Sequence, residues 1–271
     1  FYHVYSHYPD SEGFGEQFVS TADVWRDVSQ RLGGSETTLP NFDHTGYNFV
    51  KKETVDRGWK EADAAAGIAC IEYLAYKKTD RVDFLKAADW SLKVLDERSE
   101  NPYYECLMPY GAYTSARSNA ERGTTYDTGK MIGWVLAGNN PRKWGAAAAR
   151  WNETDVHGLI GSVNPGSEYA FAMNTFQAVG IMAPIACYED RYAVDLAKWI
   201  LNVAVNARYF YPNAWPKEGQ SSYAWASQND PTFCIPYEGL RKRGRTRSYP
   251  TDADAVQGTM SLATRGGARK S

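Results

Sequence analysis

The chain has 271 residues, 43% of them hydrophobic, and a formal net charge of -2 with a pI near 6.1. That is enough apolar material for a real core, while the charge balance leaves no basic field to hold a nucleic acid backbone. No run of about 18 apolar residues offers a membrane span, and nothing in the composition suggests a disordered or fibrous chain.

From Phe1 to about Lys52 the sequence is rich in aromatics and turn formers, with one helix expected over Ser20 to Leu32 (STADVWRDVSQRL), capped by Ser or Thr and stopped at Gly33-Gly34. The chain opens on Phe1 without a Met or a signal-like segment, as a processed chain or a fragment does. His3 and His7 stand at i and i+4 but have no acidic residue between them, so neither a metal nor a cofactor is expected.

Three helical hairpins follow. The first spans about Asp63 to Glu97, an apolar segment of 3.6 period, a short charged turn and a second such segment carrying Trp90. The second spans about Pro109 to Ala137, with Gly111, a turn at Arg122-Gly123-Thr124 and Trp134. The third spans about Met173 to Arg208, with a turn at Glu189-Asp190-Arg191 and Trp199. Paired helices that repeat in this way bury each other's apolar faces, so the expected fold class is all-α, a hairpin-repeat domain over 1-240.

The connections within hairpins are short, whereas those between them are long, including a stretch of about 35 residues from Gly138 to Ala172 that reads as loop. From Arg241 onward eight Lys or Arg and five Gly or Pro occur with little apolar periodicity. The segment 241-271 is accordingly expected to be a basic, disordered tail. The four cysteines are far apart, and Cys70 and Cys187 fall on apolar helix faces, which favours buried free thiols. Asn152-Glu153-Thr154 matches a glycosylation acceptor, a triplet frequent enough to carry no weight.

Hairpin geometry sorts the candidate residues. Asp127 occupies a within-hairpin turn, as Asp83 and Asp190 do, and is assigned to turn and cap chemistry. Asp127 and Asp190 should then lie at the end of the array opposite Glu61 and Glu168. The long connections hold a richer set: Trp59, Glu61 and Asp63 before the first hairpin, Tyr103, Tyr104 and Glu105 before the second, and Trp151, Asp155, His157, Glu168 and Tyr169 before the third, with Asn174 just inside it.

Glycosidic hydrolysis needs two carboxyl groups flanking the bond, one protonated and one ionised, and neighbouring carboxylates push one another's pKa apart. Glu61, Asp63, Glu105, Asp155 and Glu168 are therefore the catalytic candidates. Trp59, Tyr103, Tyr104, Trp151, His157, Tyr169 and Asn174 are the substrate-binding candidates, because a flat aromatic face with a polar handle stacks on sugar rings. The same residues have a plainer reading as helix caps and core wedges: Asp63 precedes an Ala-rich segment and Glu61 favours a positive helix end. His157 as base and Tyr169 as proton donor, with Arg117 or Arg150 to neutralise a uronate, would equip a lyase. The chain's 14% aromatic content suits a glycan-binding module equally well.

With WKEADAAAG before an apolar helix, NPYYECLMPYGAYTSARSNAE and the later GSEYAFAMNTFQ, the chain resembles bacterial carbohydrate-active proteins of the six-hairpin (α/α) toroid kind over about Trp59 to Pro216. The resemblance implies a substrate cleft at the rim where loops enter the inner helices, a carbohydrate partner, and a secreted or periplasmic setting. A closed toroid of about twelve helices, at roughly 11 to 12 residues each plus connections, needs a longer chain, so an incomplete ring is what it implies here.

Overall fold

A computed structural model describes residues 2–137, 140–151, 154–166, 168–211, 214, 228 and 239–241. About 56% of them are helical, in eight α-helices and a few 3₁₀ turns, with short strands making up the rest of the regular structure. The protein is therefore mostly helical. The chain divides into two compact units, residues 1–132 with 187–189, and residues 133–186 with the remainder from 190.

The first unit opens with α1 (Tyr2–His7) and α2 (Phe14–Arg31), a longer helix than its sequence period suggested, with Gly33 following at a positive φ of 106°. A small antiparallel ribbon comes next, β1 (Gly46–Asn48) against β2 (Glu53–Val55). Then the first hairpin stands where it was expected, as α3 (Ala64–Thr79) and α4 (Val82–Glu97).

Helix α3 is Ala-rich and buried on nearly every side, through residues including Ala65, Ala69, Tyr73 and Leu74, because α2, α4 and α5 (Met108–Arg122) all pack on it. It ends at Asp80, whose φ of 57° breaks the helix while its N–H returns to the Tyr76 carbonyl at 2.8 Å. Lys77 and Lys78 in the last turn suit the negative end of the helix dipole. Helix α4 shows a clean amphipathic stripe, Phe84, Ala87, Ala88, Ser91, Leu92 and Leu95. Phe18 and Ala22 of α2 join Cys70, Leu74, Ala75 and Phe84 in one apolar cluster. Helix α5 approaches α3 closely at Gly111, where an added Cβ would stand 2.9 Å from that of Ala66. Only glycine fits there.

The second pair departs from a simple hairpin. After α5, residues 123–127 run back along it, because the Asn119 side chain holds both the N–H and the carbonyl of Tyr126 and Ser118 meets Thr124 at 3.0 Å. Helix α6 (Thr128–Ala137) then starts beside the middle of α5, with Ser115 and Thr128 hydroxyls 3.0 Å apart. As a result the Asp127 N–H reaches Asp96 Oδ1 at 2.6 Å, in the last turn of α4. Since α3 and α4 are antiparallel, that is the end from which α3 starts. The turn between α5 and α6 thus overrides the expected polarity for Asp127, while its carboxylate does cap α6, accepting the Lys130 N–H at 2.8 Å.

In the second unit the stretch expected to be loop carries strands: β3 (Trp144–Ala146), β4 (Arg150–Trp151), β5 (Thr154–Asp155), β6 (Ile160–Ser162) and β7 (Tyr169–Ala170). Helices α7 (Ala172–Met182) and α8 (Ala193–Asn206) form the third hairpin, joined by 3₁₀ turns at Ala183–Cys187 and Asp190–Tyr192. With β8 (Leu240–Arg241) the larger sheet runs antiparallel in the order β3-β6-β7-β8, and β4 pairs with β5 alone. Gly161 of β6 pairs with Ala170 of β7, and a Cβ on it would fall 2.0 Å from the Tyr169 carbonyl oxygen. Thr175 of α7 ties helix to sheet, taking the Ile160 N–H at 2.9 Å. Trp90, Trp134 and Trp199 all lie in second helices of their pairs, on α4, α6 and α8.

Cys70 is a buried free thiol, but Cys187, expected on an apolar face, is exposed where the 3₁₀ turn after α7 ends. Cys234, Asn152 and the tail beyond Arg241 lie outside the described residues.

Candidate functional site

In the first unit the structure brings together residues that the sequence holds about forty positions apart. Asp63 precedes α3 but its side chain makes no cap bond. Instead the carboxylate is fully buried and Oδ2 accepts the backbone N–H of Tyr104 at 3.2 Å. The helix-capping account of Asp63 is corrected by that bond. The approach to the first hairpin and the approach to the second therefore lie side by side. Tyr103 is completely buried, so its ring is part of the core and offers no stacking face, while Tyr104 is half-buried. Glu105 next to it is exposed and holds a left-handed backbone, φ 57°, a conformation that non-glycine residues adopt at a cost.

Glu61 lines a small, half-open pocket beside the first turns of α3. Its wall is mostly apolar and aromatic, with Trp25 and Val28 from α2, Tyr47 from β1, Phe42, and Ile68 from α3; His44 and Thr45 also reach it. Backbone bonds set this wall. The Glu61 N–H reaches the His44 carbonyl at 2.9 Å, and the Thr45 hydroxyl donates to the Trp59 carbonyl at 2.5 Å while accepting the Arg57 N–H at 2.7 Å. His44 Nδ1 stands 3.1 Å from Asp56 Oδ2. Lys60 first and His44 second hold the Asp56 carboxyl below its ordinary range. Trp59 itself is exposed. Trp25, His44 and Tyr47 escape detection from sequence because they come from a helix, a loop and a strand that share no period.

The second unit holds the other candidates. Trp151 is buried on β4, so it packs the interior and presents no face to a sugar. Asn174 is buried in α7. Asp155 is exposed and Oδ1 accepts the His157 N–H at 2.9 Å, with the His157 ring Nδ1 also in contact with it. That N–H is the main cause that keeps the Asp155 carboxyl below the usual range, the ring adding to it. A carboxylate so held stays ionised and suits no general acid. Glu168 Oε2 accepts the Gly166 N–H at 2.9 Å, closing a turn. Tyr169 is half-buried, with its ring edge-on to Phe171 at 5.0 Å and to Trp144 at 6.2 Å.

Glu72 is a further carboxyl that sequence sorting passed over. It sits in the middle of α3, with both oxygens buried and without a hydrogen-bond partner. Burial pushes its pKa up to about 9, the nearby Arg26 opposing and Asp23 and Asp83 reinforcing the shift. A single Glu in the otherwise apolar stretch from Ala64 to Tyr76 was the available signal.

Among the described residues no group of three or more His, Cys, Asp or Glu is placed to hold a metal, and no helix is long and apolar enough to cross a membrane. Comparison with protein-family models, with curated proteins and with solved structures finds no match to this chain.

Proposed function

We propose that the chain is a carbohydrate-active protein, a glycoside hydrolase whose working site lies in the first unit at the start of α3. The observation that supports this is the bond from Asp63 to Tyr104, which sets an acidic-aromatic approach loop of each of the first two pairs beside the other, next to the pocket that Glu61 lines with Trp25 and Tyr47. Asp63 is then a positioning residue. Glu61 and Glu105 are left as the acid-base pair, and Trp25, Tyr47 and Trp59 as rings for sugar faces. The α3–α4 and α7–α8 hairpins are, on this reading, parts of an (α/α) toroid.

A non-catalytic glycan-binding module is the second reading. It is favoured by the pocket itself, where Glu61 is the one carboxylate among the lining residues. Incubation with neutral and acidic polysaccharides, reading both new reducing ends and the absorbance of unsaturated uronic products, separates the cases. Reducing ends without the chromophore, lost roughly 10²- to 10⁴-fold in Glu61→Gln or Glu105→Gln at an unchanged thermal midpoint, support the hydrolase. Binding without turnover supports the module. The chromophore assigns a lyase and turns attention to His157 and Tyr169, and absence of both binding and turnover overturns the proposal.

A further inference from the structure

The third hairpin is apolar on two opposite faces. On α8 the inner face is Leu196, Trp199, Val203 and Asn206, all buried. Half a turn away Val194, Leu201 and Val205 are 64%, 65% and 54% exposed, with Ala197 and Ala204 exposed between them. On α7 the inner face includes Thr175, Ala178 and Met182, and the outer one carries Met173 and Phe176, 45% and 39% exposed, followed by Gly180 and Ala183. A surface helix normally turns polar residues outward. This hairpin does not.

The geometry points to a second copy of this chain as the occupant, its α8 lying antiparallel against this one about a two-fold axis at the level of Trp199. Three observations single out that partner. In that register every large outer residue meets a small one: Val194 faces the partner's Ala204, Leu201 the partner's Ala197, and Val205 the partner's Ala193. Large side chains seated against small ones are what close helix packing requires. Secondly, the same register sets Asp190 opposite the partner's Arg208 at both ends, and both residues are exposed in the 3₁₀ turns that flank α8 (Asp190–Tyr192 and Ala207–Phe210). An isologous interface needs this self-complementarity, and two-fold dimers are the commonest assemblies.

The third observation is area. At on the order of 150 Å² per large side chain, the five exposures amount to roughly 400 Å², within the range of the largest apolar patches found on monomers and often functional there. That is about half of the roughly 800 Å² that each partner contributes to a standard interface, so the dimer is a weak one that forms at high micromolar concentration. The exposed Asp195 and Lys198 lie on the flank of α8, 3.9 Å apart, and belong to the solvated rim of this interface.

The experiment is sedimentation velocity on the full chain at low and high micromolar concentration, with far-UV circular dichroism as the folding control. The wild type is expected at twice 30.3 kDa at the high concentration. Leu201→Glu, at a surface position, is expected to keep its helicity and sediment as a monomer, with Ala197→Glu as a second variant of the same kind. Arg208→Asp, which sets like charges opposite, should raise the dimer dissociation constant at least tenfold, and Asp190→Arg combined with Arg208→Asp should restore it. A wild type that stays monomeric, a folded Leu201→Glu that stays dimeric, or a charge swap that restores nothing overturns the proposal.

Discussion

The carboxylate of Asp63, at the start of α3, accepts the backbone N–H of Tyr104 at 3.2 Å and is fully buried in doing so. One side chain thus holds the loop that precedes α5 against the helix that precedes α4. The bond carries consequences for both stability and the candidate site.

Removing the acceptor leaves an amide without its partner in a desolvated position, which costs about 1 to 3 kcal/mol. Asp63→Ala is therefore expected to lower the unfolding free energy, read from urea titration, by that amount, whereas Asp63→Asn, which keeps a carbonyl oxygen in place, is expected to lose less. Equal losses in the two variants would mean that the charge and not the bond matters.

Glu72 makes a contribution to the first unit's stability that falls as pH rises. Its pKa in the folded state is about 9, above the value near 4.5 of an exposed Glu. Below the lower value both states are protonated and nothing is lost. As pH rises between the two, the unfolded chain releases a proton that the folded one keeps, so stability falls across that window, by on the order of a few kcal/mol in all. Glu72→Gln should match the wild type at pH 4 and exceed it at pH 8, with the difference read from denaturant unfolding at each pH.

Asp83 acts in the opposite sense and weakly. Arg81 first, then Arg26, hold its carboxyl down at about 2, so its contribution is present above the ordinary carboxylate value and is lost as pH falls toward 2. Arg81 also pairs with Asp23 at 2.8 Å, making a network at the turn between α3 and α4 and on α2. Because these side chains are about two-fifths exposed, Asp83→Asn is expected to cost about 1 kcal/mol or less, and less again in 1 M salt.

Gly161→Ala tests the sheet of the second unit. The added Cβ meets backbone and not a movable side chain, 2.0 Å from the Tyr169 carbonyl oxygen, so β6 and β7 must separate. The expected cost is about 3 kcal/mol, with loss of the near-UV signal from the buried Trp144 and Trp151. Gly133→Ala on α6, where an added Cβ meets nothing within 4 Å, is the control and should be neutral or slightly stabilising.

Much of the helical skeleton was legible in the chain alone. The apolar Ala-rich run placed α3 and the 3.6-residue period placed α4 almost to the residue, because burial of an amphipathic stripe is a local rule in which i, i+3 and i+4 share a face whatever the partner is. Trp90, Trp134 and Trp199 were placed in second helices for the same reason, and the end of α2 just before Gly33-Gly34 was legible because glycine admits the positive φ that stops a helix, though its start at Phe14, after Gly13, was not. What only the tertiary structure decided is non-local. Strands β3 to β7 are each two or three residues long, too short to show a period; β4 and β5 pair with each other as near neighbours in the sequence, while β3, β6 and β7 exist through pairings with one another seven to eighteen residues apart. The same holds for the path of 123–127 back along α5, which depends on Asn119 reaching Tyr126. Burial separates look-alikes as well: Trp59 and Trp151 are alike in sequence, yet one is exposed and the other fills a core. So too with the carboxylates, where Asp63 holds a backbone amide, Asp155 a histidine and Glu61 a pocket wall, because what a carboxylate does is set by what packs around it.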